Sequence, residues 1–469
     1  MNTTFGVIIS NRSFFPDHLV LTARKKLLAS LEAWGYDAVI LSDEDTFMGE
    51  TMTHEEAKKC AKLFRDHVDE IDGILVCLPN FGEETGIADA IRMSHLDVPI
   101  LVQACDDDLD KLQLENRRDA FCGKLSLCSN LYQYGIKYSL TARHTCPVDS
   151  EEFHADVDRF ARVCAVVKAM RTARIAQLGA RVTPFRTVRY SEKLLQQAGM
   201  SVVTEDMSEL FADAWLMKDD DPAVAARVAE IRAYGDVCPG IAEEKLLKQA
   251  KLSLTIEKWM ADHDCQASAV QCWDSVEANY GCAACLSMSM MSQKGMPSAC
   301  ETDVMGAVSL LALLKASGVA PVYQDWDNNY GLEKDRCINV HCSNYPASAF
   351  EEKPEIANLD ILATTLGTEY SFGAMKGRVR PSAMTFLKVS TDDRRGVIKC
   401  YLGEGEFTDD PLDTFGGVAV CHVKNLNDLM RYITKNGFEH HVAIVQASCA
   451  DVLEEALGNY LGWEVYRHN

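Results

Sequence analysis

Basic residues are scarce in this chain: 47 Lys and Arg stand against 69 Asp and Glu, a formal net charge of −22. A phosphate-binding face needs clustered cations, so this balance excludes a nucleic-acid footprint. It argues equally against docking on anionic membranes. No apolar run approaches the ~20 residues of a membrane span, and no basic segment with an apolar core reads as a secretory signal. The chain has neither a G-x-x-x-x-G-K nor a G-x-G-x-x-G motif, so nucleotide binding has no sequence support. No internal repeat or low-complexity tract is present. Cys282-Ala283-Ala284-Cys285 has C-x-x-C spacing but lacks the second pair of a zinc site. The 18 cysteines sit largely in apolar stretches, where Cys acts as a small hydrophobe. A reducing, cytoplasmic setting is therefore expected.

What is present is ordinary globular material, 47% hydrophobic and 25% charged over 469 residues. Residues 1–150 alternate apolar strands (Phe5–Ser10, Ala38–Leu41, Gly73–Leu78, Ile100–Gln103) with amphipathic helices at 19–34, 54–68 and 84–93. That rhythm predicts a parallel sheet covered on both faces. After a long helix at about 150–173 it resumes, giving a second α/β domain over 151–335. From about 336 to 469 short strands separated by Gly, Pro and Asp dominate, and a β-rich, barrel-like domain is expected. The fold class is thus α/β, two parallel-sheet domains followed by a β-rich C-terminal one.

Glu301 and Asp325 stand out as candidate chemistry. Ser298-Ala299-Cys300-Glu301 reads as a capping box opening a helix over 301–316, and Pro321–Trp326 reads as the strand that follows Gly318. The helix runs out ~22 Å and the strand returns ~20 Å, so the two carboxylates finish side by side. Such a pair is a hard-cation site or an acid/base couple. It is also what a capping glutamate and a strand-closing aspartate would look like.

Four segments bear on that choice: Ala-Cys-Glu301-Thr-Asp, Tyr-Gln-Asp325-Trp, Val-His341-Cys-Ser-Asn and Glu-His440-His441-Val. With Gly377-Arg378-Val379-x-Pro381, Ser390-Thr391-Asp392-Asp393 and Gly403–Asp410, their order resembles the L-fucose/L-arabinose isomerase superfamily, in its fucose-isomerase-like branch. The resemblance implies a divalent-metal-dependent aldose–ketose isomerase, usually with Mn²⁺ (Mg²⁺ or Co²⁺ being alternatives). It also implies a homohexamer with active sites at subunit interfaces. By position, Glu301 and Asp325 match the carboxylate ligands and acid/base residues, and one of His440 and His441 matches the histidine ligand. Ungapped alignment favours His440, whereas the following strand pattern allows His441.

Further residues are candidates for sugar contact. Gln271 and Trp273 end a strand, and each reads equally well as a packed strand-end residue. His341 lies on a mostly apolar strand, in a family landmark. Arg12 resembles an arginine that reaches a neighbouring subunit's site, or is a solvated loop residue. Trp326 follows Asp325 directly, at a pocket wall or in a turn. Lys376, Arg378 and Arg380 form a basic cluster beside Pro381-Ser382-Ala383, where the family carries a Pro-Gly-Pro-like turn. In so acidic a chain the cluster suggests an anionic sugar, and the resemblance supplies one, since some fucose-isomerase-like enzymes convert sulfoquinovose. A solvated charged face is the plainer reading. Neutral L-fucose- or L-arabinose-type substrates, and a non-catalytic cytoplasmic sugar-binding protein, are the alternatives.

Overall fold

The computed structural model describes residues 3–469, which form two compact units, one ending at Lys168 and one beginning at Ala169. In the first, five parallel strands, β1 (Thr4–Ile9), β2 (Asp37–Val39), β3 (Gly73–Leu78), β4 (Ile100–Ala104) and β5 (Ser139–Leu140), lie in the order β2-β1-β3-β4-β5. Alternate side chains leave opposite faces of a strand. Phe5, Val7, Ile9, Leu75 and Leu101 accordingly enter one core. Ile8, Ile74, Val76 and Val102 enter the other. Burial on both faces is why these strands read as unbroken apolar runs.

The second unit opens with another parallel sheet. After β6 (Arg174–Leu178) and β7 (Ser201–Glu205), a two-residue strand, β8 (Asp236–Val237), leaves for a different sheet. Then β9 (Ala267–Val270) and β10 (Ser298–Ala299) complete the order β10-β9-β6-β7. The chain therefore leaves β6 toward β7 and returns on its other side at β9, which is the reversal where open α/β sheets form crevices.

The remaining strands build one mixed sheet: β11 (Val322–Asp325), β12 (Asn328–Asn329), β13 (Arg336–His341), β14 (Glu355–Asn358), β15 (Phe372–Arg378), β16 (Ser382–Asp392), β17 (Val397–Phe407), β18 (Gly417–His422), β19 (His441–Val445) and β20 (Glu464–His468). Its spine runs β11-β19-β16-β17-β18-β15-β14-β8, and β13 pairs with β18. The sheet curls back on itself, because Asp327 N–H donates to the Ile338 carbonyl at 3.1 Å and the Asn339 side chain to the Asp325 carbonyl at 2.7 Å. Phe386, Tyr401, Val442 and Ile444 fill its core together with Val224, Ile231 and Leu246 from helices. The expected α/β class with a β-rich end is what the chain forms. No helix of the described residues is long and apolar enough to cross a membrane.

Two local expectations fail around Glu301. Ser298 and Ala299 extend β10, and the helix begins at Val304 and ends at Ser317. Its N-cap is Asp303, whose carboxylate accepts from the Gly306 N–H at 2.8 Å. There is therefore no Ser298/Glu301 capping box; the acid that caps stands two residues later. The strand after the helix joins the C-terminal sheet antiparallel to β19, placing Asp325 opposite His441.

One buried acid off this path has a measurable consequence. Glu277 is fully buried and neither carboxylate oxygen has a hydrogen-bond partner. Burial pushes its pKa from 4.5 up to about 8. The folded protein thus keeps a proton that the unfolded chain has lost above pH ~5, so stability falls as pH rises from there to about 8. Glu277→Gln removes that dependence. Relative to wild type it should be near neutral below pH 5 and stabilising by about 2–4 kcal/mol above pH 8, read from urea midpoints across the range.

Candidate functional site

Glu301 sits on a two-residue turn between β10 and the helix, where Glu301 and Thr302 hold φ of 55° and 53°. Non-glycine residues adopt this left-handed region at a cost of order 1–3 kcal/mol, and such strain concentrates at functional sites. The turn is pinned by the Thr302 N–H donating to the Val270 carbonyl at 3.1 Å. It aims the Glu301 carboxylate away from the helix. The Trp273 indole N–H donates to Glu301 Oε1 at 3.0 Å. Oε2 is buried without a hydrogen-bond partner, as is Asp325 Oδ1.

Both orphaned oxygens face one nitrogen. His441 Nε2 lies 3.4 Å from Glu301 Oε2 and 3.6 Å from Asp325 Oδ1. Its other nitrogen, Nδ1, is 3.0 Å from Asp303 Oδ2. A carboxylate accepts only, so Nδ1 carries a proton toward Asp303, and Nε2 gives up the ring's other proton when it turns its lone pair to a cation between the two acids. A carboxylate-oriented imidazole of this kind is the usual support of a metal-binding histidine.

Asp303 is the hub behind the site. The same oxygen accepts from the Tyr323 hydroxyl at 2.5 Å and from the Lys388 ammonium at 2.6 Å. Asp303 and Lys388 are both wholly buried. Gly306 makes room for this, since a Cβ there would stand 2.0 Å from the Tyr323 hydroxyl. Burial opposes the Asp303 charge, but Lys388 and His441 outweigh it and hold the carboxyl well below the usual range. Burial likewise opposes charge on Glu301, yet the adjacent His441 and His341, with the Trp273 N–H, bring it to about 2. Burial works against a charged His441, and Asp303 and Glu301 override it, raising its pKa to about 9. Glu301 is ionised at neutral pH, and its surroundings call for a positive charge.

Of the remaining candidates, His341 is buried here, with Nε2 3.8 Å from Glu301 Oε2. One donor atom each from Asp325, His341 and His441 lie within 4.8 Å of one another. His440 is half exposed, its Nε2 3.8 Å from Asp325 Oδ1. Between the two histidines the geometry favours His441. His441→Ala should weaken Mn²⁺ binding by more than the about 10–100-fold that loss of a histidine ligand's outer partner costs, and His440→Ala by less than about threefold, measured by titration followed by electron paramagnetic resonance. Phe185, which the sequence did not flag, lies 5.3 Å from the Trp273 ring and 5.6 Å from His440 between ring centroids, forming an apolar wall.

Other residues fall elsewhere. Gln271 accepts from the Ala180 N–H at 2.9 Å. It lines a cavity of about 810 Å³ with Gln177, Asp206, Trp215 and Asn279 at the ends of β6, β7 and β9. Trp326 donates to the Tyr401 hydroxyl at 3.0 Å and packs on Phe386, so it fills the C-terminal core and does not wall the site. Arg12 belongs to the first unit, where it donates to the Gly82 carbonyl at 2.9 Å, pairs with Glu84 and covers the Phe81 ring. The basic cluster is already engaged. Lys376 pairs with Asp360 at 2.5 Å. Arg378 donates to the Thr408 and Asp410 carbonyls, and Arg380 to that of Ser348.

The donor set suits a divalent cation. Two carboxylates with unpartnered oxygens and one or two imidazoles make a mixed O/N shell of the kind Mn²⁺ accepts. Two sequence profiles match the chain: fucose/sulfoquinovose isomerase, N-terminal domain, over residues 6–171, and L-fucose isomerase, C-terminal domain, over residues 339–469. The chain belongs to the fucose/sulfoquinovose isomerase family, a family of sugar isomerases. Sulfoquinovose isomerases of Priestia aryabhattai and Priestia megaterium (strain ATCC 12872 / QMB1551) are each 26% identical to it over 311 residues, 64% of this chain and 66% of the relative. One from Alkalicoccus urumqiensis is 24% identical over 297 residues, 63% of this chain and 65% of the relative. The match thus spans just under two thirds of the length of these curated relatives.

Proposed function

We propose that this protein is a divalent-metal-dependent aldose–ketose isomerase acting on an open-chain monosaccharide through an enediol. The observation that carries the reading is the meeting of Glu301 Oε2 and Asp325 Oδ1, both buried and unpartnered, at His441 Nε2. Family membership supplies the reaction class. Glu301, Asp325 and His441, with His341 close by, would hold a Mn²⁺-class ion, whose positive charge stabilises the negative charge that develops on the sugar oxygens.

The chain's own groups account for the proton. Moving a carbonyl from C1 to C2 requires taking the C2 proton and returning one to C1, while a second proton leaves O2 and one is gained at O1. Glu301 is ionised and the Trp273 N–H occupies one lone pair of Oε1, so the carboxylate keeps a further lone pair, beside the one turned to the ion, for that task. Asp325 serves as its acid partner. Asp303, through Nδ1, keeps His441 from turning away from the two acids. Phe185 and Trp273 restrict water beside the reacting carbons. The assembly we propose is a homohexamer in which a neighbouring subunit completes each cavity.

For the substrate, the names of the three relatives support sulfoquinovose, converted to 6-deoxy-6-sulfofructose. Lys376, Arg378 and Arg380 give that reading little help, being tied to protein acceptors. The test is to incubate the Mn²⁺-loaded protein with sulfoquinovose, L-fucose and L-arabinose in D₂O and follow products by NMR. The expected result is a ketose of unchanged carbon count with deuterium entering at C1. Turnover of a neutral sugar alone would remove the sulfo-sugar reading. Binding without turnover of any sugar would overturn the isomerase in favour of a sugar-binding protein.

A further inference from the structure

Three thiols, those of Cys272, Cys300 and Cys342, gather around Glu301 and His341, with Cys285 beside Cys342. Cys272, Cys285 and Cys300 are buried and Cys342 is partly so. Cys342 Sγ lies 3.7 Å and Cys300 Sγ 3.9 Å from His341 Nδ1, whereas the Nε2 of the same ring is 3.8 Å from Glu301. The imidazole thus stands between two donor sets, carboxylates with His441 at one nitrogen and thiols at the other. One donor atom each from Glu301, His341 and Cys342 lie within 4.8 Å of one another, and the same holds for Cys272, Cys300 and Glu301. Ligand atoms around a tetrahedral zinc ion stand roughly 3.3–3.8 Å apart, so closing the first triad on an ion asks for shifts of about 1 Å or less. Glu301 Oε2, buried and without a hydrogen-bond partner, is already in the group. Thiolate sulfur prefers soft or borderline cations, which the oxygen-rich set does not select.

We propose that Glu301, His341 and Cys342 form a second cation site, one that takes a thiophilic divalent ion such as Zn²⁺ or Cd²⁺. It rests on the reading of Glu301, Asp325 and His441 as the first site in that Glu301, and the His341 ring beside it, serve both, so the two ions exclude one another. The isomerase would then be inhibited by micromolar thiophilic metal through displacement of its own ion, with no damage to the fold.

The test adds Cd²⁺ to the metal-free protein and reads the ultraviolet charge-transfer absorption of a cadmium–thiolate bond. It is expected in wild type at one equivalent, to persist in Asp325→Asn, and to weaken at least tenfold in apparent affinity in Cys342→Ser. A parallel measurement needs no variant: bound Cd²⁺ should protect Cys342 from alkylation, mapped by mass spectrometry. Absorption unchanged in Cys342→Ser, its loss in Asp325→Asn, or unprotected Cys342 would each overturn the site. In protein loaded with Mn²⁺, Cd²⁺ should release the Mn²⁺ one for one, and Mn²⁺ that stays bound would overturn the sharing of Glu301. Wild type that binds no Mn²⁺ yet gives the Cys342-dependent absorption counts against the proposed function and for the thiol site.

Discussion

Glu301→Gln and Asp325→Asn are each expected to reduce turnover by about 10³-fold or more and to abolish stoichiometric Mn²⁺ binding. General acid–base catalysis alone contributes about 10²–10⁴-fold. Each amide also removes one of the two negative charges that hold the cation. Glu301→Gln preserves the side-chain volume and can still accept from the Trp273 N–H, so the turn at φ 55° should persist. Its new amide N–H₂ can donate to His441 Nε2, which fills the place of the ion with a hydrogen bond. Asp325→Asn leaves β11 paired with β19, because that pairing uses backbone groups. Both variants should therefore unfold close to the wild-type midpoint, and the loss can be assigned to chemistry. A variant that retains more than about a tenth of wild-type turnover would remove its carboxylate from the mechanism. A variant that turns over poorly while binding Mn²⁺ normally would separate the base from the ligand set.

Much of this was legible in the sequence, for reasons that are local. Strands β1, β3 and β4 are buried on both faces, so their apolar runs announce a parallel sheet before any pairing is known. That Glu301 and Asp325 approach one another was legible because a helix and a strand join them. The choice between His440 and His441 was not legible, because it depends on register. Only the pairing of Asp325 with His441 across β11 and β19 decides which imidazole points inward. Asp303 was hidden by the apparent capping box, which placed it inside the helix. Lys388 left a signal that went unread: an ammonium in the apolar run Phe386-Leu387-Lys388-Val389 must find a buried anion. The partners of the basic cluster, Asp360 and the Thr408 and Asp410 carbonyls, were not legible because they are remote in sequence or beyond a loop. Trp326 misled, since adjacency to Asp325 along a strand sends consecutive side chains to opposite faces.

The second large effect is expected behind the site, at Asp303. Asp303→Asn keeps the size and can still cap the helix through its carbonyl oxygen, accepting from the Gly306 N–H. Among the described residues it removes the one carboxylate within ion-pair distance of the buried Lys388 ammonium, leaving the more distant Glu439. Breaking a buried pair from one side costs about 3–5 kcal/mol, because the remaining charge is left uncompensated. The amide also cannot accept from Lys388, Tyr323 and His441 together, so His441 loses its orientation. Mn²⁺ affinity should fall about 10–100-fold, as it does when the outer partner of a metal-binding histidine is removed. The double variant Asp303→Asn/Lys388→Met separates the two effects. Taking away the stranded ammonium should restore most of the stability, read from the urea midpoint, while Mn²⁺ affinity stays low because nothing re-orients His441. Recovery of both properties together would mean that Asp303 serves the fold alone. A single variant within about 1 kcal/mol of wild type would mean that the buried pair is not the anchor its geometry suggests.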